Sequence, residues 1–194
     1  VYERMEGSGT WEEIVAASEE DSKGPPAGEV RMILGTDADG HITASEWLLL
    51  GVTVSDCVPI SMVDPERQVV AMLHAGWKGT AVGVLDRGMR LMTEEFGINP
   101  EDLHLHHGPA ICRDCYELGP EVPAALGLAP VHGPSPVDLR RFLAGRAIDL
   151  GVAEAKVTRS SWCTLCPESP FFSHRRGDRA RQVGFIGVRP SDEP

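Results

Sequence analysis

Two apolar runs, each beside a potential metal donor, meet across a short turn between Val54 and Thr80. The first passes through the β-branched Val52, Thr53 and Val54, then Ser55-Asp56-Cys57, and continues into Val58-Pro59-Ile60. The second is Val69 to Leu73, followed at once by His74. Asp64-Pro65-Glu66-Arg67 between them has turn composition. The pattern predicts two adjacent strands, with Cys57 on or near the end of the first and His74 at the end of the second. Seventeen positions separate the two residues in sequence, but neighbouring strands can bring them into one pocket. A thiolate and an imidazole both suit Zn²⁺, and the same pair is the starting point of a nucleophilic site. The plainer reading is a buried thiol and a histidine that bonds a turn. Gly76 and Gly79 on either side of Trp77-Lys78 favour the functional one, because they suggest a backbone that passes close to something.

Charge and composition narrow the partners. A formal net charge of −11, with basic residues gathered only near Arg175 to Arg181, argues against nucleic acid or an anionic membrane as partner. No apolar run approaches the ~20 residues of a membrane span, and no secretory signal is read at the N-terminus. The five cysteines, an odd count, fit reduced cytoplasmic thiols better than a secreted disulfide framework. At 194 residues the chain is expected to form a single domain, 1–194, with residues 1–30 the least informative part. It begins with valine, so the natural start is expected upstream or at a non-standard initiator.

Taken in order, Trp11 to Ala17 suits a short strand or helix and Ser18 to Glu29 an exposed loop. Asp37-x-Asp39 hints at a calcium loop, but Leu48 stands where such a loop needs glutamate. Trp47 to Val54 is expected as a buried strand, and Thr80 to Phe96 as an amphipathic helix stopped by Gly97. Leu103 to His107 alternates like a strand, with His104 and His106 on one face and His107 on the other. A short helix is expected over Glu121 to Leu126, and a second amphipathic helix over Leu139 to Leu150, after a start at Pro134 to Asp138. Ala155 to Ser160 and Gln182 to Val188 are expected as strands, the last of them pairing centrally.

Ser55-Asp-Cys-Val-Pro-Ile60 followed by His74-Ala-Gly-Trp-Lys-Gly79 resembles the signatures of the multicopper polyphenol oxidase (laccase-domain, DUF152) family, now described as zinc-dependent purine nucleoside phosphorylases. Gly108-Pro-Ala-Ile111, Cys115-Tyr-Glu-Leu-Gly119, Cys163-Thr164 and Phe171-Phe-Ser-His-Arg-Arg176 agree with it in the same order. The resemblance implies an α+β (α/β sandwich) fold, with mixed β-sheets and helices packed on the outside. It implies Zn²⁺ on Cys57, His74 and an upstream histidine, with copper less suited. It also implies a purine nucleoside and phosphate as substrates, and deamination of adenosine as a related activity. Asp56 is then expected to orient His74 or handle a proton, and Arg175, Arg176 and Ser173 to hold phosphate.

Three features depart from the family or add to it. The upstream Gln-Val-His-Gly motif is missing; Arg4-Met5-Glu6-Gly7 is the nearest match, which puts Glu6 in place of the third ligand, with His41 the other candidate. His174 and Gly177-Asp178 replace the tyrosine and Asp-Gly usual in the arginine loop. Cys112-x-x-Cys115 and Cys163-x-x-Cys166 read, taken alone, as a structural zinc site, but the 47 intervening residues make an unusually long gap. A redox-sensitive cluster is a second reading, and simple buried or pocket-lining thiols are the reading the gap favours. Other classes stay open at this point: a metal-free Cys/His hydrolase, a copper phenol oxidase, and a member of the family that has lost its activity.

Overall fold

The computed structural model describes residues 38–188, with 47 excepted. Strands β1 (Gly40–Thr43), β2 (Leu49–Val54), β3 (Val58–Asp64) and β4 (Val69–Ala75) open this region. Helices α1 (Trp77–Ala81) and α2 (Val84–Phe96) follow, then β5 (His104–His107), β6 (Glu117–Leu118), α3 (Glu121–Ala125) and β7 (Ser135–Pro136). The chain continues through α4 (Leu139–Asp149), β8 (Val157–Arg159) and β9 (Gln182–Gly187). The segments assigned to Trp11–Ala17 and Ser18–Glu29, and Glu6, lie outside the described residues.

The β3–β4 hairpin is the centre of a five-stranded sheet of order β1-β4-β3-β5-β8. Its pairings are antiparallel except for β5 with β8, so the sheet is mixed. The hairpin turn forms as its composition predicts: Asp64 Oδ1 accepts from the backbone N–H groups of Glu66 and Arg67, both at 2.9 Å. Alternation along β4 then divides its side chains. Val69, Ala71, Leu73 and Ala75 join the main core with Leu85, Met89 and Met92 of α2 and Leu139, Leu143 and Ala147 of α4. Val70 and Met72 point the other way, into a second cluster with Leu50, Val52 and Val54 of β2. There β2 and β9 form a two-stranded antiparallel sheet across the back of the first. The layers are therefore helices, five-stranded sheet and two-stranded sheet, the α+β arrangement with mixed sheets and outer helices that the resemblance implies.

Three expectations are corrected. The strand expected as buried over Trp47 to Val54 is β2, whose residues alternate exposed and buried along Leu49–Val54. Thr80–Phe96 is not one helix: α1 ends at Ala81, and Gly83, at φ 81°, starts α2 from a left-handed conformation that glycine adopts without strain. Gln182–Val188 does form a strand, but among the described residues β9 pairs only with β2. The outer face of this pair leaves Leu49, Val183 and Phe185 exposed, at 69%, 57% and 67%.

Candidate active site

Cys57 and His74 arrive at the same end of the hairpin. The register sets Val58 against Ala75 and Pro59 against His74, so Cys57 lies just before β3 while His74 is the penultimate residue of β4. His74 shares its strand face with Val70 and Met72, and Cys57 packs against the cluster those residues belong to. Both residues are half-buried. At Gly76 a Cβ would stand 3.0 Å from the Cys57 sulfur, so glycine is what lets the chain turn tightly over the thiol.

Electrostatics around the pair are set by burial and by two aspartates. Burial pushes the Cys57 thiol up to about 11, the charges of Asp56 and Asp39 add to this, and Arg181 opposes it. The His74 imidazole is lowered by burial, against the pull of Asp39. Asp39 sits beside His74, with its backbone C=O accepting from the His74 N–H at 2.7 Å and its Oδ1 3.7 Å from Nδ1. The second distance is an electrostatic contact rather than a hydrogen bond.

Asp56 has different partners from those expected. Its Oδ1 accepts from the Thr164 hydroxyl at 2.6 Å and its Oδ2 from the Arg175 backbone N–H at 2.7 Å, while its own C=O accepts from the Ile111 N–H at 3.1 Å. At φ 79° and 6% exposure, Asp56 is a strained, buried hub that ties three distant loops to the turn carrying Cys57. Asp39, which lies in the Thr36 to Thr43 stretch that resembles the family's site edge and whose calcium-loop pattern lacks its glutamate, is the carboxylate next to His74.

In the arginine loop the two guanidinium groups differ. Arg176 Nη2 lies 2.6 Å from Asp178 Oδ2 and Nε 2.9 Å from the same oxygen, and Nη2 also donates to the Phe171 C=O. Arg175 donates to the Glu117 C=O at 3.2 Å and stacks over the Tyr116 ring at 5.5 Å. Ser173 is fully buried, its hydroxyl oxygen accepting from the Arg176 N–H at 3.2 Å. The Tyr116 hydroxyl is pushed up to about 12 by burial, with the charges of Cys57 and Asp56 adding to this and Arg175 opposing. Tyr116 lies in the Cys115 to Gly119 stretch that resembles the family, but the sequence alone assigns it no role of its own. A separate groove of about 1020 Å³ lies on the helical side, lined by Asp86, Arg90 and Arg146 among others, with neither Cys57 nor His74 in its walls.

The family described as multi-copper polyphenol oxidoreductase laccase matches residues 11–189. The chain belongs to this family. It is 35% identical over 164 residues to the purine nucleoside phosphorylase YlmD of Geobacillus stearothermophilus, covering 78% of this chain and 60% of that protein. It is 33% identical over 149 residues to adenosine deaminase RL5 from an unknown prokaryotic organism, covering 71% of this chain and 56% of the relative. The crystal structure of Geobacillus stearothermophilus YlmD superposes with a TM-score of 0.73 at 34% identity, over 78% of this chain and 61% of the other. The hypothetical protein YfiH of Bacillus licheniformis also gives 0.73, at 32% identity, over 78% and 62%. The chain thus spans somewhat under two thirds of the length of these relatives.

Proposed function

We propose that this chain carries the Cys57 and His74 portion of a zinc-dependent purine nucleoside phosphorylase site acting on adenosine or inosine-type nucleosides. The observation that carries the reading is the convergence of Cys57, His74 and Asp39 at one end of the hairpin, in a chain whose family includes relatives named for this activity. In phosphorolysis a phosphate oxygen bonds to ribose C1′ as the glycosidic C1′–N bond breaks. The bonding pair leaves on the purine nitrogen, which takes up a proton, and ribose 1-phosphate remains. Zn²⁺ on these donors supplies Lewis-acid chemistry or an activated water when bound.

The donors fit zinc in kind. The thiol is soft, and burial keeps the imidazole neutral and able to ligate. Two donors are one short of the three protein ligands usual in catalytic zinc sites, and Glu6 is the proposed third. Copper suits the site less well, because multicopper centres need a histidine-rich ligand set and the seven histidines here form no His-x-His pair beyond His104 and His106. Without a cation the Cys57 thiol, pushed up to about 11, stays protonated at neutral pH, which disfavours a metal-free thiolate nucleophile. Arg175 is the better phosphate ligand of the two arginines, since Arg176 is held by Asp178. Asp56, Arg176 and Ser173 then shape the loop, and Asp39 orients His74. The odd count of five cysteines favours a reducing, cytoplasmic compartment over a secreted disulfide framework.

The test is chromatography of products after incubating the zinc-supplied chain with adenosine, with and without phosphate, beside a Cys57→Ser control. Phosphate-dependent adenine that the control lacks supports the reading. Inosine formed without phosphate would replace it with deamination, the activity for which one relative is named. No product in any sample would favour a member that has lost its activity.

A further inference from the structure

A group of four sulfur donors lies apart from Cys57 and His74. The Sγ atoms of Cys112, Cys115, Cys163 and Cys166 all lie within 4.8 Å of one another, and all four cysteines are free. We propose that these four cysteines form a structural zinc site that braces the turn carrying Cys57.

Geometry is the first support. A tetrahedral ZnS₄ centre with Zn–S bonds of about 2.3 Å requires sulfurs about 3.8 Å apart. Cys115 Sγ and Cys166 Sγ stand 3.8 Å apart, and a disulfide would need about 2.05 Å. Four thiols, with no further donor grouped with them among the described residues, make a closed coordination shell, the structural rather than the catalytic pattern. The second support is the setting of the sulfurs. Cys163 Sγ accepts from the backbone N–H of Cys112 at 3.2 Å and of Leu165 at 3.4 Å. Amide donors aimed at sulfur stabilise thiolate charge and orient ligands around a metal.

The topology explains how pairs so distant in sequence meet. Strands β5 and β8 are parallel neighbours, so the loops that follow them leave the sheet side by side. The Ser160 N–H donates to the His107 C=O, and the Thr164 N–H to the Ala110 C=O. Buried Arg140 donates from Nη1 to the carbonyls of Ser160 and Trp162, fixing the approach to Cys163. Neither loop has much regular structure of its own, so a metal staple substitutes for packing there.

The brace reaches Cys57 through Asp56. Ile111, next to Cys112, donates its N–H to the Asp56 C=O, and Thr164, next to Cys163, donates its hydroxyl to Asp56 Oδ1. Both cysteine loops therefore end on the residue before Cys57.

The test uses the full chain carrying Cys57→Ser and His74→Ala, so that the metal at issue is independent of the phosphorylase reading. Metal analysis after extensive dialysis is expected to find about one zinc per chain in this background and close to none after further Cys115→Ser substitution. Cys166→His, which keeps a zinc-competent donor, is expected to retain the metal, and this separates ligand loss from misfolding. Cobalt exchanged into the same protein should give the intense thiolate-to-metal absorption of a tetrahedral sulfur site. In the unsubstituted chain the four thiols should resist alkylation until a strong chelator is added. A metal-free chain with all four thiols freely alkylated, disulfides among them by mass spectrometry, or iron in place of zinc would each overturn the proposal.

Discussion

Replacing Thr164 by valine removes a single hydroxyl and keeps the branched shape. That hydroxyl donates at 2.6 Å to Asp56 Oδ1 inside the protein, where Thr164 is 0% and Asp56 6% exposed. A hydrogen bond to a charged group contributes about 1.5–3 kcal/mol, and leaving a buried carboxylate oxygen unpaired costs in the same range. Oδ2 keeps the Arg175 N–H, so the carboxylate is half-satisfied rather than abandoned. The expected loss is thus about 1.5–3 kcal/mol, or about 3–12 °C in Tm for a domain of this size. Urea unfolding of Thr164→Val, Asp56→Asn and the double variant measures the coupling between them. A coupling energy of at least about 1 kcal/mol is expected from a shared buried bond. Additive effects, or a loss below about 0.5 kcal/mol for Thr164→Val, would refute the description of Asp56 as a hub joined to the cysteine loop.

Three further outcomes follow from other parts of the structure. Burial pushes His107 down to about 4, with the nearby charges of His106, Arg159 and Arg140 in the same direction and its bond to the Thr158 C=O opposing. Its folded value lies below the unfolded one, so its contribution is present above about pH 6.5 and is lost as pH falls towards 4. This amounts to about 3 kcal/mol at most, and His107→Gln is expected to flatten the fall in urea-unfolding stability between pH 7 and 4. In phosphorolysis assays Arg175→Ala should raise the KM for phosphate with little change in Tm. Arg176→Ala should instead lower Tm by loosening the loop that Asp178 holds; a reversal of the two patterns would exchange their roles. Glu6→His is expected to tighten zinc binding at the Cys57 and His74 donors, read by competition with a chromophoric chelator, and an unchanged affinity would remove Glu6 from the ligand set.

The hairpin was legible because its information is local. Two apolar runs and an aspartate that caps its own turn lie within one short stretch, and they suffice to bring Cys57 and His74 to one end. Helix α4 was legible for the same reason, with Asp138 accepting from the Arg141 N–H at its start. The break between α1 and α2 was not, because a glycine in an apolar helical pattern is compatible with either a continuous helix or a stop. Partners across long separations were also hidden. The Asp56 contacts with Thr164 and Arg175 span 108 and 119 residues, and periodicity carries nothing about them. The 47-residue gap between the cysteine pairs argued against one cluster, and the parallel pairing of β5 with β8 removes that objection. The calcium-loop pattern around Asp39 already failed for want of a glutamate, and its place beside His74 depends on β1 pairing with β4.

The most direct test of the Cys57 and His74 site is the rate of adenine release from adenosine as phosphate is titrated, in the zinc-supplied chain and in Cys57→Ser. The account predicts a rate that rises and saturates with phosphate, matched mole for mole by ribose 1-phosphate, and a Cys57→Ser rate lower by at least about two orders of magnitude. Adenine release that ignores phosphate, or that survives Cys57→Ser undiminished, would contradict it.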